Sequence, residues 1–141
     1  MPSFITGSPE ETMALGRRLG NKLKGGELIT FTGGLGSGKT TFCRGIAQGL
    51  GSQDPVSSPT FAVANLYRGP IPFAHFDAYR IQHADDLETA GFYDYLDSGA
   101  VVAVEWSEQV ADWLPPAQVR ISITAPDAEH RTIMIEGDIA L

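Results

Sequence analysis

The stretch that decides the fold is GGLGSGKTT, residues Gly33 to Thr41. It fits the pattern G-x-x-x-x-G-K-[ST], in which a glycine-rich loop joins a strand to a helix and cradles the phosphates of a nucleotide. The N–H groups of such a loop must come close to phosphate oxygens, and glycines remove the Cβ atoms that would block the approach. The stretch therefore predicts a site for nucleotide phosphates.

The residues on either side supply the context that the motif requires. ELITFT, residues 27–32, predicts a strand, and residues 39–50 predict a helix with Gly51 as its C-cap. The helix start adds its positive dipole end, Lys39 is expected to reach the β- and γ-phosphates, and the Thr40 hydroxyl is expected to ligate Mg²⁺. The inward residues of this helix are predicted to be Phe42, Ile46, Ala47 and Leu50. The predicted nucleotide-binding residues of the loop and helix are Gly34, Leu35, Gly36, Ser37, Gly38, Lys39, Thr40 and Thr41.

The remaining sequence alternates helical and β-rich patterns. Ser8, Pro9 and Glu11 predict a capping box that opens a helix, which the pair Gly25–Gly26 is expected to end. The acidic segment 83–99 is helical or irregular. The predicted core face of the first helix consists of Leu15, Leu19 and Leu23, and the predicted strands cover residues 3–6, 61–67, 72–77, 101–106, 119–124 and 131–137, the last two as a hairpin. This is the pattern of an α/β protein with one layered sheet, and we expect a single domain over residues 1–141.

Two carboxylates are candidates for the acid that a phosphate-loop enzyme uses to hold or organise Mg²⁺. Glu105 ends VVAVE and Asp77 ends FAHFD. Both are expected at the carboxyl edge of the sheet, where open α/β sheets bind ligands. We expect Glu105 nearer the metal, because its strand is the more apolar, and Asp77 to orient a water molecule or a metal ligand.

Composition and charge limit which binding partners and which cellular location we expect. Residues 1–81 carry eight Lys/Arg and five Asp/Glu, whereas residues 82–141 carry two Lys/Arg and twelve Asp/Glu, within a net charge of −7. The acidic half is either a solvated face or a surface that docks on a basic protein, and either interpretation disfavours direct contact with DNA or other nucleic acid. The sequence has no apolar run long enough to span a membrane and no secretory signal. With Cys43 as the single cysteine, a cytoplasmic location is expected.

Three functions remain open from the residues themselves. The first is an Mg²⁺-dependent ATPase that is slow alone, since no acceptor pocket or arginine finger is evident. The second is a small-molecule kinase with Asp77 as the base, and the third is a module that binds nucleotide without turnover. A guanine-specific switch is disfavoured, because NKLK at residues 21–24 lacks the Asp of the guanine motif.

Taken in order, four segments resemble the TsaE (YjeE) family, small bacterial ATPases of tRNA threonylcarbamoyladenosine biosynthesis. They are GGLGSGKTTFCRGIAQGLG, VSSPTFAVANLY, HFDAYRI and VEW. The resemblance covers nearly the whole chain. It implies a P-loop NTPase-like three-layer fold with a mostly parallel central sheet flanked by helices.

The resemblance also implies roles for single residues. ATP and Mg²⁺ would be bound at Lys39, Thr40 and Glu105, and Asp77 would support hydrolysis. Thr12 matches a position that lies near the adenine or is a plain surface helix residue. Arg131 matches an arginine that touches the base or a phosphate, or is a solvated strand residue.

Three other residues have expected roles in or near the same site. Thr60 either senses the γ-phosphate or forms a turn, Trp106 is expected to pack in the core, and His75 is expected to be a strand residue rather than a metal ligand. The partners implied by the resemblance are the TsaD and TsaB proteins, with tRNA reached indirectly through their complex. The family's ATPase activity would be low alone and stimulated in that complex.

Overall fold

The computed structural model describes residues 3–33, 38–53, 64–78, 81, 83–105, 110–137, 139 and 141. The elements are β1 (Ser3–Thr6), α1 (Pro9–Lys22), β2 (Leu28–Thr32), α2 (Lys39–Gly49), β3 (Ala64–Tyr67), β4 (Phe73–Asp77), α3 (Ala84–Thr89), α4 (Phe92–Asp97), β5 (Val101–Glu105), a 3-10 turn (Ala111–Trp113), β6 (Val119–Thr124) and β7 (Arg131–Gly137).

The seven strands form one sheet in the order β1-β7-β6-β2-β5-β4-β3. Strands β6, β2, β5 and β4 are neighbours and run parallel, while β7 and β3 run against them. The predicted α/β fold with a mostly parallel central sheet flanked by helices is confirmed. All four parallel strands end at one edge of the sheet, and β2 leads from that edge into the glycine-rich loop.

Side chains of β4 and β5 alternate between two core layers. Phe73 and Ala103 lie in the layer under α1 and α2, whereas Ala74, Phe76 and Val104 lie in the layer that α3 and α4 cover. Because alternate residues of a strand face the same side, His75, Asp77 and Glu105 also lie on the α2 side of the sheet. This register places polar side chains of two strands beneath the helix that follows the glycine-rich loop.

Helix α1 begins as the capping residues predicted and ends earlier than expected. The Ser8 hydroxyl accepts a hydrogen bond from the Glu11 amide, while the Glu11 carboxylate accepts one from Gly7 rather than from Ser8. The prediction that Gly25–Gly26 end the helix is wrong. The last helical residue is Lys22, and the extended backbone of Leu23 lets its side chain stay in the core.

Helices α1 and α2 pack with their backbones in close contact. A Cβ atom at Gly16 would overlap the Phe42 carbonyl oxygen, and one at Gly45 would overlap the Met13 carbonyl oxygen. A Cβ at Gly20 would lie 2.5 Å from a third carbonyl, that of Ile46. The local sequence pattern does not predict this glycine contact, which sets how α1 lies against the phosphate-loop helix.

The remaining predicted elements are largely confirmed. The inward residues of α2 are buried as expected, and the helix ends one residue early, with Leu50 as the C-cap and Gly51 after it at a φ of 90°. The acidic segment forms α3 and α4, and β6 and β7 form the expected hairpin. Strand β3 covers the second part of the predicted strand 61–67, whose residues 61–63 lie outside the described residues. In the described part of the chain, no helix is long and apolar enough to cross a membrane.

Candidate nucleotide-binding site

Helix α2 begins after a residue that has no side chain to cap it. Its N-cap is Gly38, with a φ of 101°, and the first turn contains no acidic residue. The first backbone N–H groups of a helix have no partner within the helix, and the dipole there favours an anion. This end of α2 is therefore suited to a phosphate group. Gly34, Leu35, Gly36 and Ser37 lie outside the described residues, and their contacts with a nucleotide stay predictions.

Lys39 holds a positive charge beside the same helix end. Its side chain is only 6% exposed, and its Nζ donates a hydrogen bond of 3.0 Å to the carbonyl oxygen of Gly33. An ammonium group at this place attracts anions, and charge-assisted hydrogen bonds to phosphate oxygens are among the stronger hydrogen bonds in proteins. The contact of Lys39 with the β- and γ-phosphates stays a prediction.

The two predicted carboxylates lie side by side. Asp77 and Glu105 are register partners at the ends of the parallel strands β4 and β5, and Phe31 of β2 is the partner of Glu105 on its other side. Glu105 is 5% exposed, while Asp77 is half-buried. Glu105 is thus the more deeply buried of the two, and its expected place nearer the metal stays a prediction.

The chemistry of the available ligands fits Mg²⁺. Thr40 lies in the first turn of α2 and is half-buried, so a hydroxyl and the Glu105 carboxylate can both offer oxygen atoms. The described residues contain no group of three or more His, Cys, Asp and Glu side chains that could hold a metal. Mg²⁺ typically binds to one or two protein oxygens together with substrate phosphates and water, so such a group is not required.

His75 contacts the proposed site through Glu105, and the sequence predicts it only as a strand residue. It is fully buried in β4, as a strand residue, and its Nε2 lies 2.9 Å from Oε2 of Glu105 and 3.9 Å from Sγ of Cys43. Burial acts to lower the pKa of His75, but Cys43 and Glu105 outweigh it, and the pKa lies well above its ordinary value. The available signal was its spacing of two residues from Asp77, which puts both side chains on one face of the strand.

A cleft of about 360 Å³ opens beside the start of α2. Small-molecule sites in proteins are commonly about 300–1,000 Å³ in volume. The cleft is lined by Gly7, Ser8, Pro9, Thr12, Gly38, Thr41, Ala128, Glu129 and Arg131. Three separate parts of the chain therefore build it: the start of α1, the start of α2, and the hairpin between β6 and β7.

Thr12 is a buried wall of this cleft. It is 2% exposed, and its hydroxyl lies 2.6 Å from the hydroxyl of Thr6 in β1. The alternative of a plain surface helix residue is excluded by this burial. Thr41, from the first turn of α2, lines the same cleft.

Arg131 reaches the cleft from the start of β7. Its Nη1 donates to the carbonyl oxygens of Asp127, Ala128 and His130 at 3.2, 3.4 and 2.8 Å. A Cβ atom built on Gly38 would lie 3.7 Å from its Nε, so the guanidinium lies close to the helix start. Arg131 is thus a half-exposed strand residue that also lines the cleft, and its contact with the base or a phosphate stays a prediction.

The hairpin loop beside Arg131 is ordered around one carboxylate. Oδ1 of Asp127 accepts hydrogen bonds from the amides of Glu129 and His130 and lies 2.9 Å from Nδ1 of His130. The hydrogen bond from the His130 amide, followed by those from its ring and from the Glu129 amide, lowers the pKa of Asp127. This network fixes the rim of the cleft.

Two other residues with predicted roles, Thr60 and Trp106, lie outside the described residues, and their roles stay predictions.

Comparison with known proteins gives consistent matches over most of the chain. The family model of the threonylcarbamoyl adenosine biosynthesis protein TsaE matches residues 6–133. The chain is 37% identical over 129 residues to the tRNA threonylcarbamoyladenosine biosynthesis protein TsaE of Bacillus subtilis. This alignment covers 91% of this chain and 80% of the relative. It is 33% identical over 131 residues to the protein of that name from Treponema pallidum, with 93% of this chain and 97% of the relative covered.

A solved structure shows the same similarity in three dimensions. The crystal structure of Bacillus subtilis YdiB superposes with a TM-score of 0.77 at 33% sequence identity. The superposition covers 94% of this chain and 82% of that chain.

Proposed function

The chain belongs to the TsaE family of tRNA threonylcarbamoyladenosine biosynthesis proteins, and from this premise we propose that it binds ATP with Mg²⁺ and hydrolyses it to ADP and phosphate. The observation that carries the proposal is the start of α2 at Gly38, which has no capping side chain, with the buried Lys39 beside it and two carboxylates at the neighbouring strand ends. These are the kinds of group that a site for phosphates, Mg²⁺ and a water molecule requires, and they support the proposal.

Each part of the site has a role in the proposal. The phosphates lie at the start of α2, where backbone N–H groups and Lys39 neutralise their charge. Thr40 and Glu105 would hold Mg²⁺, which supplies charge neutralisation for the phosphates when bound. Asp77 accepts a hydrogen bond from a water molecule and orients it, and the adenine occupies the cleft between Thr12 and Arg131.

Hydrolysis by the protein alone is expected to be slow. Rapid phosphoryl transfer gains from an arginine that contacts the charge developing on the phosphate. Arg131 lines the cleft, but its Nη1 group already donates to three carbonyl oxygens of the hairpin loop. A partner that supplies or rearranges groups at the site would raise the rate, which supports a function as an accessory protein.

We propose the TsaD–TsaB complex as that partner, with tRNA reached only through it. The support is the family membership and the charge of the chain, since the exposed residues of α3 and α4 are strongly acidic. An acidic protein is suited to a basic surface that otherwise binds tRNA. Such a role belongs in the cytoplasm.

The test is release of labelled phosphate from ATP by the protein alone and with TsaD and TsaB added. We expect a low rate that the partners raise, with the label recovered as free phosphate. Lys39→Ala should lower turnover by roughly 100-fold, in the range lost with one phosphate-stabilising donor. Lys22→Ala, an exposed change in the last turn of α1, is the matched control.

Two results would contradict the proposal. Full turnover by the Lys39→Ala variant would show that the phosphates do not bind at the start of α2. Label on a small molecule, with no effect of the partners, would indicate the alternative, a small-molecule kinase with Asp77 as the base.

A further inference from the structure

The carboxylate of Glu105 is buried and therefore needs a hydrogen-bond partner. Its side chain is nearly inaccessible to water, and ionised groups are costly to bury unless they are hydrogen-bonded. Among the described residues, Glu105 has a hydrogen-bond partner on the neighbouring strand, where Nε2 of His75 lies 2.9 Å from Oε2. The two residues are 30 positions apart in the chain and are joined by the parallel pairing of β4 with β5.

The direction of this hydrogen bond follows from chemistry. An ionised carboxylate has only acceptors, so Nε2 of His75 must carry the proton that it donates. This is true of the neutral ring and of the charged ring alike. Since Nε2 carries one proton, the sulfur of Cys43 at 3.9 Å is a secondary neighbour. Among the described residues, Nδ1 of His75 has no hydrogen-bond partner, so Glu105 is the strong polar partner of the ring.

The imidazole ring itself is held in place by packing. His75 is fully buried, and the ring of Phe73 is stacked on it with an interplanar angle of 15° and a centroid distance of 6.2 Å. A ring fixed in this way fixes Oε2 of Glu105 as well. Glu105 would then hold Mg²⁺ through a carboxylate whose orientation this ring fixes.

We propose that His75 is a positioning residue that holds the Glu105 carboxylate in the orientation required to ligate Mg²⁺. The inference rests on the proposed Mg²⁺–ATP function and adds to it a residue that touches neither metal nor nucleotide. Groups that orient metal ligands typically change metal affinity by about 10–100-fold when they are removed. A histidine that only filled space in the core would have no such effect.

The experiment measures equilibrium binding of a fluorescent ATP analogue as Mg²⁺ is raised, with a parallel titration in EDTA. His75→Gln puts an amide nitrogen near the place of Nε2, whereas His75→Asn puts one near the place of Nδ1. We expect the Mg²⁺ concentration at half-effect to rise roughly tenfold or more in His75→Asn and His75→Ala. His75→Gln should restore most of the wild-type value, and binding in EDTA should be the same in all four proteins.

The control is Phe76→Leu, in the same strand but facing the opposite core layer. It lowers stability without touching Glu105, so its Mg²⁺ dependence should equal that of the wild type. If His75→Ala does not fold, the Gln and Asn variants, which both fill the space of the imidazole, decide whether His75 positions Glu105.

The failing outcomes are distinct. If His75→Asn and His75→Ala show the wild-type Mg²⁺ dependence, the inference about His75 is overturned while the proposed function stands. If the wild type binds nucleotide with no dependence on Mg²⁺, the metal part of the proposed function fails and this inference fails with it. If the wild type binds no nucleotide at all, the proposed function itself is wrong.

Discussion

At the scale of single residues, the site consists of polar side chains that the fold buries together with a partner. Lys39 is paired with the Gly33 carbonyl, Thr12 with Thr6, and Glu105 with His75. A buried polar group without a partner costs about 1–3 kcal/mol or more, so each of these side chains is held to one position. The groups proposed to meet ATP and Mg²⁺ are therefore oriented by the protein before a ligand arrives.

The carboxylate of Asp127 should titrate at a lower pH in the folded protein than in the unfolded chain. Hydrogen bonds from His130 and Glu129 favour its ionised form and lower its pKa. A carboxyl group whose folded pKa is depressed adds stability above its unfolded pKa, near 4, and loses it as pH falls through the folded pKa. The measurement is the ¹³C chemical shift of the Asp127 carboxyl against pH, in buffer and in urea.

The control for this titration is Asp127→Asn. The free energy of unfolding of the wild type should fall relative to that of the variant as pH drops below about 4. Equal midpoints of the Asp127 titration in buffer and in urea would contradict the hydrogen-bond network at the rim of the cleft.

At the scale of elements, the contact between α1 and α2 links the two sides of the cleft. Thr12 lies on α1 and Thr41 on α2, and the helices touch through backbone atoms at Gly16 and Gly45. Larger residues would push the helices apart and widen the cleft. The glycines thus position the wall of the cleft as well as the core beneath it.

Gly45→Ala should lower the free energy of unfolding by about 3 kcal/mol, since overpacking costs about 1–3 kcal/mol and this Cβ would overlap a backbone carbonyl oxygen that cannot rotate away. The higher helix propensity of alanine, worth about 1 kcal/mol, does not offset that overlap. Urea unfolding followed by circular dichroism measures the change.

The matched control is Gly7→Ala, the same chemical change at an exposed position where a Cβ would meet no atom closer than 3.7 Å. We expect a change within about 0.5 kcal/mol there. If Gly45→Ala is as stable as Gly7→Ala, the helices do not depend on close backbone contact.

At the scale of the whole molecule, the acidic surface and the proposed nucleotide site lie on different sides of the sheet. Helices α3 and α4 pack on the core layer opposite to α2, and their exposed acidic residues face outward. Such a surface can meet a partner while the cleft remains open to ATP. The exposed acidic residues of these helices are Asp85, Asp86, Glu88, Asp94 and Asp97.

Replacing Asp94 and Asp97 together by Asn should slow association with the proposed TsaD–TsaB partner by about tenfold at low salt. Complementary charges mainly raise association rates, and salt screens them over roughly 10 Å at 0.1 M. Stopped-flow association at increasing salt measures this, and the difference from the wild type should shrink as salt rises.

The control adds the same net charge elsewhere. Ala14→Lys together with Asn21→Lys also shifts the net charge by two units, on exposed positions of α1. An equal slowing in both double variants would mean that total charge matters rather than the surface of α3 and α4.

The sequence by itself determined the local structure of this protein, and it predicts a site for phosphates. A glycine-rich loop between a strand and a helix predicts the phosphate site, because loop, strand and helix start are consecutive in the chain. The apolar run before Glu105 likewise predicts a buried strand that ends in a carboxylate. These patterns act over a few residues, and the strands and helices that they predict are confirmed.

Only the tertiary structure decided which distant residues meet. The bond from His75 to Glu105 needs two strands that are separated in the chain but adjacent in the sheet. The cleft needs α1, α2 and the β6–β7 hairpin at once, and the glycine contact needs one particular packing of two helices. Local patterns cannot predict these contacts, because strand order and helix packing depend on how the whole apolar surface is buried.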